Sequence, residues 1–533
     1  MRPRWPRFSL LARAAALALA LAAALPAGAD DDANAPFERI SLPLPGRPLE
    51  AWTLAGSGSG ERVAVVSALG SPPDERRHLA IYGPAPGGGV AREVVLDVPA
   101  DAVAFDVADL EPGGPPELAL LYADRLTVQS LGAPPAPRSH ALSPALPLPA
   151  PARGFVRLPM LDRWDGSTRA SALLPAFDGL LLLPLDGGAP RRLAFPLYAF
   201  YYGGDPSAGV RPGVLESFVT WPELASGDDD GDGRADVFAL SRYDVAVYRG
   251  GPDGLPPQPT RRVTLRPFTD DEELRFLASS VSLFAPDLDG DGRADLVQHK
   301  TFGTLLRSHA TTSIWRNPGA GVDPSAAPDA RIEGSGGFGS IFLEDLDGDG
   351  RLEAVQLLVP FGAVQLVRAV LTDTVQARVR VFRFTGPGDG APFAAEPGFE
   401  DTVTLAIETR EGRVAGVLPT VAGDFDGDGL RDLVVGESLA RLVVRLGALG
   451  ERGPGFGSVA AAQSIPDADR AVVGDFDGDG LDDVAAWDTR YGRSLVVLRN
   501  RGRLARPGEL RVEPKTVPPE LRAPDAEPDP APR

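Results

Sequence analysis

The stretch VVGDFDGDGLDDVAAW, residues 472–487, sets carboxylates at Asp475, Asp477, Asp479 and Asp483 and then turns at once into an apolar run. In D-x-D-G-D-G-x-x-D, positions one, three and five aim side chains at a common point, and the acid at nine closes the set. Glycine at position six permits the left-handed backbone that folds such a loop around its centre. Two carboxylates about 5 Å apart repel by roughly 3 kcal/mol at an effective dielectric near 20. Four converging on one point therefore call for a cation.

The pattern occurs five times. The other copies carry Asp228, Asp230, Asp232 and Asp236; Asp287, Asp289, Asp291 and Asp295; Asp345, Asp347, Asp349 and Glu353; and Asp424, Asp426, Asp428 and Asp432. Behind each comes a short apolar run (VFAL, LVQ, AVQLLV, LVVG, VAAW), and after a turn a second one, as in DVAVYRG (244–250), RLVVRLG (441–447) and SLVVLRN (494–500). Runs this short and this rich in valine and leucine predict strands. Three further copies show decayed acids: TLAGSGSGERVAVVS (53–67) keeps Glu61, DLEPGGPPELALL (109–121) keeps Asp109, Glu111 and Glu117, and RWDGSTRASALL (163–174) keeps Asp165. Lacking the full set, these three are expected to be plain turns.

Eight units spaced 51 to 79 residues apart predict an all-β chain folded as a β-propeller. Eight blades follow from the count, and seven if the Glu61 copy is an appendage. A closed ring leaves only short sheet edges, whereas a linear stack would expose two long ones. FERISLPLP (37–45) and ELRVEP (509–514) are the strands expected to share one blade and close the ring. The apolar residue at position two (Leu288, Leu346, Phe425, Phe476) is expected to anchor each loop. Residues 299–312 and FGAVQLVRAVLTDTVQ (361–376) read as additions between second and third strands. The latter is expected to be a short helix with Gln365, Arg368 and Thr372 on its polar face. The Pro-rich stretch 134–152 reads as an inter-blade connection.

The chain has 533 residues, 73 acidic against 53 basic side chains, a net charge of −20 and no cysteine. Without cysteine there are no disulfides, thiolate metal sites or thiol nucleophiles. So negative a surface disfavours nucleic acid and anionic membranes as partners. Residues 1–29 read as a cleaved export leader: Arg2, Arg4, Arg7 and Arg13 precede the Ala/Leu run 14–25, and Ala27-Gly28-Ala29 offers a small-x-small cleavage site. The propeller is then expected over 30–514, in the periplasm or outside the cell, and a disordered Pro-rich tail over 515–533. No later segment approaches the roughly 20 apolar residues of a membrane span, so membrane insertion is not expected.

The acidic loops offer six or seven hard oxygens once the backbone carbonyl at position seven is included. That set suits Ca²⁺, whereas Mg²⁺ demands a smaller and stricter octahedron. Up to five calcium ions are expected. The twenty acids at ligand positions, with Asp229 and Asp482, make 22 negative charges, about the size of the net charge of −20. A paired-helix EF-hand does not fit, because the closing acid falls at position nine and strands follow.

These loops resemble the FG-GAP, or VCBS-like, repeat family, which includes the propeller of integrin alpha subunits and many exported bacterial proteins. GGFGS (336–340) and GFGS (455–458) match its Phe-Gly element. The resemblance covers most of residues 37 to 514. It implies that the twenty acids are calcium ligands, that their loops share one propeller face, and that partners bind the opposite one. With no membrane segment and no integrin-like leg domains, an integrin role is not implied.

The expected function is a non-catalytic binding or adhesion module for a glycan or protein partner. A polysaccharide-active, lyase-like enzyme on the same scaffold is the alternative. No nucleophile elbow, His-rich metal site or cofactor fingerprint is present, and no catalytic residue is assigned. His299, Lys300, Arg307 and His309 form one candidate site for an anionic glycan or acidic partner. Phe195, Tyr198, Phe200, Tyr201 and Tyr202 form either a sugar-stacking surface or, as aromatic strand residues more often do, core. The oligomeric state is not set by the sequence.

Overall fold

The computed structural model describes residues 35–504 except 59, 72–73, 111–114, 132–136, 147, 149–154, 165–169, 196–197, 204–214, 269–277, 305–306, 336, 361, 387–391, 409–412, 415, 439, 466–467 and 491. The leader 1–29, the candidate strand 509–514 and the tail 515–533 lie outside them.

The predicted strands assemble into eight sheets, the blades of an eight-bladed propeller, antiparallel throughout except where Val156–Arg157 adds in parallel to the second. The first blade is built from Arg47–Gly58, Gly60–Leu69, Arg76–Pro84 and Val90–Val98, so the Glu61 copy is a full blade and not an appendage. The second to fourth blades start at Ala104, Leu161 and Glu223, and the fifth to seventh at Ala278, Gly337 and Thr420. The eighth takes Arg470–Gly474, Asp483–Trp487 and Ser494–Asn500 from the end of the chain and Phe37–Pro43 from its beginning. The first strand pairs antiparallel with Ser494–Asn500 over seven residues, Phe37 opposite Asn500. FERISLP thus closes the ring as its sequence predicts, and the blade has four strands without 509–514.

Eight hydrophobic clusters hold the ring, and each spans two adjacent blades. Val63 and Val65 of the first blade meet Ala485 and Trp487 of the eighth, Leu54 and Ile81 meet Phe105 and Leu118 of the second, and the series runs on without a gap. Burying a large aliphatic or aromatic side chain is worth about 1.5–3 kcal/mol, so every inter-blade seam contributes to the fold. Phe456 of the GFGS segment is one such residue, packed edge-on against Phe399 at 5.6 Å.

Three expectations are corrected. Residues 299–312 are not an added loop: they belong to the paired strands Leu296–Thr304 and Arg307–Trp315, because the fifth blade's central hairpin is longer than its neighbour's. In the Pro-rich stretch, Arg138–Ala141 pairs as the outer strand of the second blade, proline being tolerated around an edge strand. The helix exists as α1, Ala363–Thr372, but its polar face is not simply turned outward. Gln365 is buried, its amide exchanging hydrogen bonds with the backbone of Gln376, while Val364, Val367, Val370 and Leu371 are exposed, Leu371 at 76%. Among the described residues no helix is long and apolar enough to cross a membrane.

In an antiparallel four-stranded blade, the connections from first to second and from third to fourth strand share one end. The second-to-third connections, α1 among them, lie at the other. All five acidic loops therefore sit on one propeller face. Backbone hydrogen bonds join them in series: Ala294 N–H to Asp228 O (2.9 Å), Leu352 to Leu288 (3.0 Å), Arg431 to Leu346 (3.0 Å), Asp482 to Asp424 (3.2 Å), and Glu61 of the first blade to Asp475 (2.6 Å).

Candidate metal centres and an uncovered blade face

Both glycines of each acidic loop, at positions four and six, adopt φ between +72° and +89°, a region costly for any residue with a Cβ. This bends the chain tightly enough for the acid at position one to accept from its own loop. Asp475 Oδ1 accepts from Gly478 N–H at 2.8 Å and Oδ2 from Gly480 N–H at 3.1 Å, and the other four loops repeat the pair. The acid at five accepts from the amide at seven, as Asp232 does from Arg234 at 2.9 Å.

The acid at nine opens the second strand of its blade, or in Asp295 directly precedes it, and is buried in every loop. One of its oxygens accepts from the amide at position two: Asp229 to Asp236 at 2.8 Å, Leu288 to Asp295 at 3.1 Å, Leu346 to Glu353 at 3.1 Å, Phe425 to Asp432 at 2.7 Å and Phe476 to Asp483 at 3.2 Å. Its other oxygen accepts from the end of the third strand, as from Gly250, Asn317, Gly447 and Asn500. The closing acid thus also latches its loop to the blade, a task its sequence position did not disclose.

Carboxylate oxygens converge to within 4.8 Å in each loop: Asp228, Asp230 and Asp236; Asp287, Asp289 and Asp291; Asp345, Asp347 and Glu353; Asp424, Asp426 and Asp432; Asp475, Asp477 and Asp483. Asp232, Asp295, Asp349, Asp428 and Asp479 fall outside these triads. Such clusters could hold metal ions, and two observations fit a cation. Asp289 Oδ1 and Asp347 Oδ1 are buried without a hydrogen-bond partner, a costly state for an ionised oxygen. Burial, with neighbouring acids adding to it, also pushes the closing carboxyls up, Asp236 to about 6, Asp295, Glu353 and Asp432 to about 7, and Asp483 to about 8.

The anchors at position two are buried as expected for Leu288, Leu346, Phe425 and Phe476. In the first loop the position is Asp229, fully buried and ion-paired to Arg249 (2.7 Å) and Arg261. Arg249 belongs to a set that the sequence did not reveal. It also faces Asp230 at 3.4 Å, and Arg499 faces Asp477 at 2.6 Å. Arg316 and Arg383 act electrostatically on Asp289 and Asp347. Each of these arginines directly precedes the residue whose amide bonds the closing acid (Gly250, Asn317, Phe384 and Asn500), and the fourth loop has Leu446 there, before Gly447.

The other sequence candidates separate. His299 is buried, its ring bonded to Thr312 Oγ1 (2.9 Å) and Gly339 O (3.1 Å), so it is core. Phe195 is core as well. Tyr198–Gly203, holding Tyr198, Phe200, Tyr201 and Tyr202, forms a two-stranded hairpin with Leu215–Thr220 outside the blades. The side chains of Tyr198, Phe200, Tyr201, Tyr202 and Arg307 are not among those described. Lys300 and His309 line a cleft of about 850 Å³ between the fourth and fifth blades.

Against known proteins, residues 228–298 match the FG-GAP-like repeat family, a span that begins on the first acid of one loop and runs through the whole of the next. No curated protein sequence matches the chain. Among solved structures, that of the V. cholerae biofilm matrix protein Bap1 is similar over 86% of this chain and 88% of that one, at 11% identity and a TM-score of 0.30. A likeness that distant carries no argument about function.

Proposed function

We propose that this chain is an exported, calcium-loaded β-propeller that serves as a non-catalytic binding module for a glycan or protein partner. The observation that carries the reading is the fivefold convergence of carboxylates on one face, with buried unpartnered oxygens at Asp289 and Asp347. An all-oxygen donor set of this kind, preformed by backbone hydrogen bonds, suits Ca²⁺ at the millimolar to submillimolar levels found outside cells. The twenty acids of the five loops would share the ions, the closing acids acting as ligand and latch together. The Arg- and Ala-rich N-terminus supports export. The rigid ring leaves the opposite face and the inter-blade clefts for a partner.

The test is the thermal melt of the chain from Asp30 onward in Ca²⁺, in Mg²⁺ and in chelator, with bound metal counted by elemental analysis. With free Ca²⁺ ten times above Kd, each occupied site adds about 1.4 kcal/mol to the fold. A large rise specific to Ca²⁺ and up to five ions per chain is expected. An unchanged melt with no bound calcium would reduce the loops to acidic turns. Cleavage of a polysaccharide by the loaded chain would replace the binding module with the enzyme alternative.

A further inference from the structure

We propose that the cleft between the fourth and fifth blades takes an acidic oligosaccharide, with Lys300 and Arg331 as its anion contacts. The inference rests on the binding-module reading and names its ligand class.

The cleft exists because two neighbouring blades differ in length. The central strands of the fourth blade, Asp236–Leu240 and Asp244–Tyr248, have five residues each, and those of the fifth have nine. Near the acidic loops the fifth blade's face is apolar, and Leu296 and Trp315 bury against Phe238, Leu240 and Leu265 of the fourth. Beyond that point the fourth blade's strands have ended and the fifth blade's side chains turn polar, with Gln298 and Ser313 still buried and Lys300, Phe302 and Thr311 half-buried. Strand alternation and register set them in rows: Gln298 beside Ser313 and Arg331, Lys300 beside Thr311 and Glu333, and Phe302 beside His309. The reverse face of the same strands is closed against the sixth blade by Val297, Ile314 and Ile332.

The charge runs against the rest of the molecule. Among the described residues lining this cleft, Lys300, Arg331 and Arg266 meet one carboxylate, Glu333, in a chain with a net charge of −20. Lys300 is one of only two lysines. Its Nζ donates to Pro267 O at 3.0 Å and lies 4.9 Å from the Phe302 ring centroid and 5.6 Å from that of Phe268. A lysine held in this way loses little rotamer freedom on meeting an anion. Phe302 and His309 stack at 5.4 Å, an aromatic pair beside the cation. Gln298, Thr311 and Ser313 add neutral donors and acceptors. An anion contact, stacking surface and hydroxyl-matching groups on one flat face fit a sugar acid. An acidic peptide would more naturally pair with a sheet edge. The volume falls in the range of about 300–1,000 Å³ common to small-ligand sites.

The experiment is isothermal titration of the calcium-loaded chain with galacturonic acid hexamer and, as the neutral control, cellohexaose. Saturable binding of the acidic hexamer is expected, weakening with added NaCl, with none of cellohexaose. Lys300→Gln combined with Arg331→Gln is expected to weaken binding by about tenfold or more, since both charge-assisted contacts are lost. Arg331→Gln alone, on an exposed side chain of the outer strand, guards against misfolding, and each variant's melt in Ca²⁺ checks the ring. Equal binding by parent and double variant would mean that the uronate is held through calcium in the acidic loops, and would overturn the cleft. Failure of the hexamer while another glycan or a protein binds would also overturn the cleft but leave the binding module standing. Failure of every ligand class would overturn both.

Discussion

A single residue, the one just before the amide that bonds each closing acid, sets the five loops apart. Arg249, Arg316, Arg383 and Arg499 bring a positive charge beside the acid at position three, and each would compete there with a bound metal ion. Leu446 brings none to the fourth loop, which is therefore expected to hold calcium most tightly. Arg499 is partly exposed, so the competition is screened, and removing it is worth about 1 kcal/mol, roughly fivefold in affinity. In competition against a fluorescent chelator, Leu446→Arg should remove the tightest step of the isotherm and Arg499→Ala should add one. Indifference of the isotherm to both would show that the arginines do not reach the ions. No fixed spacing betrays these residues: Arg249 follows Asp236 by 13 positions, while Arg383 follows Glu353 by 30. Hairpins of different length intervene.

The acidic loop as an element couples metal to protons. The closing carboxyls Asp236, Asp295, Glu353, Asp432 and Asp483 titrate between about 6 and 8 in the metal-free fold, above their ordinary values, chiefly because they are buried. A raised folded-state pKa gives stability that is complete below the unfolded value, near 4, and is lost as pH rises through the folded one. In chelator the melt should therefore be highest near pH 5 and fall toward pH 8.5. Calcium requires the ionised form, so the gap between melts with and without Ca²⁺ should widen across the same window. Parallel profiles would contradict this. The loop was legible because its acids and glycines occupy fixed positions set by the local turn alone. Elements shaped by their neighbours were not. The outward face of α1 carries Val364, Val367, Val370 and Leu371 because Gln365 satisfies the backbone of Gln376 beneath it, a tertiary demand that overrides helix periodicity. The polar rows of the fifth blade read as an inserted loop because the fourth blade's shortness, which exposes them, is written elsewhere in the chain.

At the scale of the whole molecule, the repeat count gave eight blades and the N-terminal strand gave the closure, since both depend on pattern and on the cost of open sheet edges. The eighth blade joins residues more than four hundred positions apart, and its seam buries Leu495, Val496, Val497 and Leu498. A chain ending at Arg493 should lose both the outer strand's partner and two inter-blade clusters. Its melt is expected to lose cooperativity, and limited proteolysis should remove Phe37–Pro43 early. A chain ending at Leu504 should melt like the full one. Equal protease resistance of the two truncations would show that the ring does not depend on its latch.

That latch makes the last-made strand the test of completeness. Until Ser494–Asn500 is available the chain is an open arc, its first residues waiting for a partner that does not yet exist and its two end blades bare along one edge. The closed ring, by contrast, has the first and last described strands stitched into the same sheet and offers neither as a place to begin unravelling.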